Sequence, residues 1–283
     1  MKNKSHTIAL FPILIALNEF YDKGIALQPI SEKSYDQMLA IGLMEEALKI
    51  KYSDEQIKSC ISADVNELNS LLKEHGFDIR LDEFGSTDLG VVTIMDLVGR
   101  WLEQGVHVFL EYENEKYPAI KIKSGASIID VNGKETLLIR TRDGLMVFIE
   151  KTNEEKSGMD LFRHILQQSN LLDLSEKPCD AIIPMVDIDE QPDISWLIGM
   201  KSTTGDFTIN QALQQNKLKI TVDGIHAESA VTMGIRKGVS VDERSQFIID
   251  GPFNLWITYG DPENKYFPLF GAHIAPDTWK TSK

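Results

Sequence analysis

Cysteine is nearly absent: Cys60 and Cys179 are the two in 283 residues. They lie far apart and lack CxxC spacing, which excludes a dithiol redox motif, a zinc ribbon and a disulfide-built framework. Two reduced thiols are expected, with a single disulfide as the alternative. Paired histidines are also missing. The six present (His6, His75, His107, His164, His226, His273) form no HxH, HExxH or H-x₃-H pair, so neither a metal nor another cofactor is signalled. There is no GxSxG elbow, no Walker A loop and no GxGxxG motif. Ser70 and Lys73 match an SxxK pattern, but the SDN and KTG companions are absent, and the match reads as chance. The paired carboxylates Glu45–Glu46 and Glu154–Glu155 read as solvated faces. No enzyme is indicated.

Basic residues are in deficit: 29 Lys and Arg against 43 Asp and Glu leave a net charge of −14. That balance disfavours nucleic-acid binding, which needs clustered cations, and adhesion to anionic membrane. Long apolar runs are lacking too. Ile8 to Leu17 follows Lys2 and Lys4, but it contains Pro12, is too short for a bilayer and has no small-residue cleavage site before Asn18. It reads as a buried first element. Location stays open between the cytoplasm and export by a non-classical route.

What is present is an ordinary globular balance, 42% apolar and 25% charged, without a linker, repeat or low-complexity tract. A single α+β domain is expected over 1–283, with residues 1–85 mainly helical and 86–283 mainly β-sheet. Tyr35–Ile50 spaces Met38, Ile41, Met44, Ala47 and Leu48 along one helical face. Ser53 and Gln56 have the form of a capping box, and a further helix is expected over Asp64–His75, stopped by Gly76. Leu89–Val98 suits a strand buried on both faces. Asn132–Gly133 and Asp143–Gly144 signal hairpins, and Gly158–Gln168 a short helix. Strands are expected at Tyr117–Ile122, Phe247–Ile249, Phe253–Thr258 and Tyr266–Ile274.

The unusual segment follows Asp223–Gly224. Odd positions from Ile225 to Val241 are apolar or small except Lys237, while even positions from His226 to Ser240 carry no large apolar side chain. Such alternation is that of a strand, over roughly 55 Å. One reading is a hairpin at Asp223–Gly224 with an amphipathic second arm. The other is a segment exposed in one state and patterned to become a strand in another.

Several runs here resemble the serpin family. Phe247-Ile-Ile-Asp250-Gly-Pro252-Phe253 resembles its Phe-x-Ala-Asp-His-Pro-Phe run, and Leu269-Phe270-Gly271 its closing Leu-Phe-x-Gly. Thr221 to Ala230 resembles the hinge of the family's reactive loop. Ile183–Ile188 with Asp193–Leu197 and Gly199-Met200 is similar to its Pro-x-Phe-x-Ile…Leu-Gly segment. Gly144–Ile149 follows its Leu-Ser-Met strand, and Gly99-Arg-Trp101 its Gly-x-Trp at the breach. The likeness covers about 90–276 and is weak before it, where Ile8–Ile15 with Pro12 corresponds to an early Ser-Pro-x-Ser-Ile segment. The chain is shorter than family members usually are, and the missing length falls in the N-terminal helical part.

The resemblance implies a serpin-like α+β fold, an N-terminal helical part plus large β-sheets with an exposed reactive loop at 224–247. It also implies a monomer that inhibits a serine or, less often, cysteine protease as a suicide substrate. The cleaved loop would insert as a strand into the main sheet. The hinge would be Gly224, Ile225, His226, Ala227, Glu228, Ser229, Ala230, Val231 and Thr232, and the breach residue Trp101. Anchoring on Gly224 turns Ile225, Ala227, Ser229, Val231 and Met233 inward and His226 and Glu228 outward. Counting from Gly224 places the scissile bond near Gly238, and counting back from Pro252–Phe253 near Val241. Arg236, Lys237 and Arg244 suit a trypsin-like protease and rank slightly ahead of Val239 and Val241. The alternative is a non-inhibitory serpin-fold protein that binds a partner protein.

Overall fold

A computed structural model describes residues 4–53, 55–85, 88–227, 245–259 and 266–281. The chain opens with β1 (His6–Ile8), α1 (Leu10–Asp22), β2 (Leu27–Gln28) and α2 (Tyr35–Ala47). β3 (Ile57–Ser62), α3 (Val65–Glu74), β4 (Gly90–Met95) and β5 (Leu97–Arg100) follow. Next come β6 (Val106–Tyr112), β7 (Glu115–Ile122), β8 (Ala126–Val131), β9 (Lys134–Arg140) and β10 (Leu145–Lys151). After α4 (Gly158–Asn170) lie β11 (Leu172–Pro178), β12 (Asp180–Pro184), β13 (Val186–Glu190) and β14 (Lys201–Ser202). β15 (Asn216–Ile220), β16 (Gly224–Ala227), β17 (Gln246–Ile248), β18 (Phe253–Tyr259) and β19 (Pro268–Ile274) complete the series.

The strands form a seven-stranded sheet (β1-β19-β18-β10-β9-β8-β11), two four-stranded sheets (β17-β12-β7-β6 and β13-β15-β16-β5) and the pairs β3–β4 and β2–β14. β10 is buried without interruption from Leu145 to Glu150, so both faces of the large sheet are covered there. Phe148 stacks on Trp256 of the neighbouring strand, 5.3 Å between centroids at 10°. α4 closes one face over β19. A Cβ at Gly271 would meet Ile165 Cδ1 at 2.3 Å, so glycine is what lets the helix approach. The β8–β9 hairpin turns through Asn132 (φ 55°) and Gly133 (φ 79°), both in the left-handed region that a two-residue turn requires.

Four expectations are corrected. α2 ends at Ala47, and its buried positions are Gln37, Ala40 and Ala47, whereas Met38 and Leu48 face out. Gln37 goes inward because its amide accepts from Ile30 N and donates to Trp196 O. Gln56 does accept from Ser53 N at 3.1 Å, but the chain then enters β3 and not a helix. The alternating Ile57–Ser62 segment pairs with β4 along its whole length, and that ladder outweighs the local cap. Finally, Leu89–Val98 is two strands broken at Asp96, and β4 buries alternate residues only.

The first element is buried, as its composition suggests: α1 hides six residues from Leu10 to Leu17. Pro12 sits in its first turn, where a missing N–H costs no intrahelical bond. No helix among the described residues is long and apolar enough to cross a membrane. Both cysteines are free thiols. Burial, reinforced by Asp180, pushes Cys179 up to about 11. A disulfide reagent should therefore titrate Cys60 in the folded protein and Cys179 only after denaturation. Two fast thiols would contradict this placement.

Candidate functional site

β15, a short turn and β16 form the hairpin around which the site is built. Lys219 faces His226 and Ile220 faces Ile225 across it. On its other side β16 pairs antiparallel with β5, Gly224 against Arg100 through Ala227 against Leu97. The hinge segment is thus a strand inside a sheet, flanked on both sides. Ile225 is buried, its Cγ2 close enough to Gly99 that a Cβ there would meet it at 2.9 Å. His226, with Val98, Arg100 and Lys219, lies on the more exposed face. A Cβ at Gly224 would come within 2.3 Å of Gly99 O, so any side chain there would prise β16 from β5.

The turn is held from one side by Trp101, which is 1% exposed. Its Nε1 donates to Thr221 O at 2.9 Å, and its backbone N to Asp223 O at 3.1 Å. Gly105 N donates to Val222 O, and Gln104 Nε2 to Asp223 Oδ1. Trp101→Phe strands one carbonyl and leaves part of the buried indole's space empty. It should cost about 1–2 kcal/mol of stability, read from the shift in denaturant midpoint. An unchanged midpoint would mean that neither the indole's hydrogen bond nor its packing holds the turn.

Register fixes where the sheet leads next. β16 runs from Arg100 towards Leu97, so its C-terminal end faces β4 on one side and the segment preceding β15 on the other. Between these lies an apolar cavity of about 220 Å³. α1 floors it with Pro12, Ile13 and Leu17, β4 walls it with Val92 and Ile94, and Ile209 closes the opposite side. β4 pairs with β3, and its other edge has no strand beside it among the described residues. Buried amides pin the far wall to the floor. Gln214 accepts from Ala9 N and donates to Ala9 O at 2.7 Å, and Asn216 Nδ2 donates to Thr7 Oγ1 at 3.1 Å. Ala9 is the N-cap of α1 and has no capping side chain; Gln214 satisfies the N–H of that N-cap residue itself.

Of the residues singled out in the sequence, Trp101, Gly224, Ile225, His226 and Ala227 come together at this hairpin. Glu228, Ser229, Ala230, Val231, Thr232, Met233, Arg236, Lys237, Gly238, Val239, Val241 and Arg244 lie outside the described residues. Ser70 and Lys73 are exposed on α3, away from the cavity. Sequence reasoning missed Asp96, which divides β4 from β5, and the amides Gln214 and Asn216. The polar run Gln211–Asn216, interrupted only by Ala212 and Leu213, was the available signal.

No protein-family model and no curated protein matches the sequence. Solved structures do. Serpin48 of the insect Tenebrio molitor is similar at 13% identity and a TM-score of 0.60, over 97% of this chain and 92% of that one. A serpin from Schistosoma mansoni is similar at 12% identity and 0.60, over 96% and 95%. Thyroxine-binding globulin in complex with thyroxine is similar at 11% and 0.59, over 97% and 93%. The described helices and sheets and these whole-length likenesses agree: the chain has the serpin fold, in a divergent form.

Proposed function

We propose that this protein is a single-use inhibitor of a serine or cysteine protease. The protease attacks a bond between residues 236 and 244 of a reactive loop spanning 224–247. The freed N-terminal arm then continues β16 into the sheet, carrying the acylated protease with it. The protein itself catalyses nothing; the whole chain acts as one domain and one monomer.

The observation that carries this reading is the direction of β16. Its C-terminal end is directed towards the cavity between β4 and the segment before β15, over α1. β4 has six residues, about 20 Å of edge with no strand beside it among the described residues. An inserted strand would satisfy those backbone groups and fill the cavity with the small or apolar side chains at Ser229, Val231 and Met233. His226 and Glu228 would stay on the outer face. Arg236, Lys237 and Arg244 favour a trypsin-like target, drawn to the basic residues on an acidic body.

Incubation with trypsin-, elastase- and subtilisin-like proteases tests the reading. A covalent complex that survives SDS, with one equivalent of enzyme silenced, is the expected result. Loop cleavage with no complex and full protease activity would instead fit a serpin-fold protein that binds a partner.

A further inference from the structure

We propose that β6 is a self-pairing edge, through which two copies of this chain join antiparallel about a two-fold axis at Phe109. β6 ends the sheet β17-β12-β7-β6, and no strand lies on its other side among the described residues. Pro118 fixes where its backbone groups point. Pro118 O accepts from Met185 N, just beyond β12, at 2.9 Å. Phe109 faces Pro118 on β6, so it turns its own N–H and C=O away from β7 and towards the open edge. The same holds two residues either way, at His107 and Glu111.

This edge is unguarded. A row of unpaired backbone groups invites another strand, so exposed edges are usually short, bulged, or marked with lysine or proline. β6 has seven residues, about 23 Å, with neither residue type and an unbroken register against β7. Other sheet ends differ. β1 and β17 have three residues each, β11 shifts register and ends in Pro178, and β13 carries Asp187, Asp189 and Glu190. β6 is also held at both ends: Gly105 N donates to Val222 O at 2.7 Å, and Tyr112 packs on Trp279 with centroids 5.5 Å apart. Its outermost apolar side chains are Phe109, 66% exposed, and Val106, 49%.

The strand's own sequence selects a second copy as the occupant. VHVFLEY, paired antiparallel about Phe109, sets Phe109 on Phe109, Val108 on Leu110 and His107 on Glu111 of the second copy. An imidazole can donate to a carboxylate in either protonation state, so both ends of the pairing are matched. Moving the axis to His107 or Glu111 sets like polar groups together, and moving it by one residue faces Phe109 with one of them. Lys116 approaches Glu111 at 3.6 Å from β7, not from the open edge. In register, His107, Phe109 and Glu111 exchange about six backbone hydrogen bonds with the second copy. One strand's width is less than an obligate dimer buries, so the association is reversible, with a midpoint of roughly tens of micromolar. β17, near which the proposed reactive loop ends, is the opposite edge of the same sheet. Each copy therefore keeps that loop free to act singly, and the pairing does not depend on the function proposed above.

Sedimentation equilibrium on the full chain, from about 1 to 200 µM, tests the pairing. The weight-average mass should rise towards that of two chains. Phe109→Lys sets two cations on the axis and should weaken association at least about tenfold, with an unchanged melting temperature because the side chain is exposed. His107→Glu should also weaken it, and adding Glu111→Lys should restore it. Oxidation reads the register. In a Cys60→Ser background, Phe109→Cys should cross-link two copies, since paired Cα atoms about 5.5 Å apart suit a disulfide. His107→Cys, facing Glu111 of the second copy, should not. A chain that stays monomeric throughout, a dimer indifferent to Phe109→Lys, or cross-linking through His107→Cys in preference to Phe109→Cys overturns the proposal.

Discussion

Cleavage between residues 236 and 244 is expected to raise the melting temperature by roughly 10–20 °C. Two independent magnitudes give that figure. Filling a cavity of about 220 Å³ at about 24 cal/mol per Å³ stabilises by roughly 5 kcal/mol. Burying Val231 and Met233 at about 2 kcal/mol each, with a smaller term for Ser229, gives a similar sum. In a chain of this size each kcal/mol moves the midpoint by about 2–4 °C. Backbone bonds to the free edge of β4 add to the gain. The measurement is a thermal melt before and after limited proteolysis. Val231→Asp should allow cleavage yet suppress the rise, because an inward carboxylate cannot be desolvated in the apolar slot. A nicked protein that melts no higher than the intact one would sink the insertion mechanism, although the fold would stand.

The second large effect concerns a charge buried in the seven-stranded sheet. Glu150 on β10 is 2% exposed and is met by Lys134 Nζ at 2.7 Å, His164 Nε2 at 2.6 Å and Asn254 Nδ2 at 3.4 Å. Burial alone would push its carboxyl up; the bonds from His164 and Lys134 reverse this and hold it at about 2, against an ordinary 4.5. A depressed carboxyl contributes stability that is fully present above its unfolded value and is lost as the pH falls towards about 2. The difference, some 2.5 pH units, corresponds to about 3 kcal/mol at neutral pH. Glu150→Gln should therefore lower the neutral melting temperature by roughly 6–10 °C. It should also flatten the stability profile between about pH 4.5 and pH 2, where the two proteins converge. A variant that keeps the original acid limb would show that other carboxylates carry it.

β10 shows how far the sequence reaches. Its strand was legible from Leu145–Ile149 after a Gly-containing turn, and so were both hairpin turns, because left-handed backbone at Asn132 and Gly133 is a local demand. The role of Glu150 was not legible. A carboxylate at the end of a strand reads as surface until α4 and β9 bring His164 and Lys134 to it. The buried face of α2 was misread for the same reason. Gln37 has no apolar character, and it is inside only because Trp196, far along the chain, presents a carbonyl there.

The candidate site divides in the same way. Local pattern was enough to mark Gly224 as the start of a strand and to separate Ile225 from His226 by face, whereas Trp101 stood out only through the family resemblance of Gly99-Arg-Trp101. All of these depend on neighbours within a few positions. Deficits in cysteine, paired histidine and basic charge were equally informative, since composition alone limits which chemistries a chain can host. Only the tertiary structure decided that β16 lies between β15 and β5, that Asp96 reaches His226, and that among the described residues an apolar cavity lies between β4 and the residues pinned by Gln214. Each of these joins segments more than a hundred residues apart, and side-chain periodicity carries no information about which distant strands will pair.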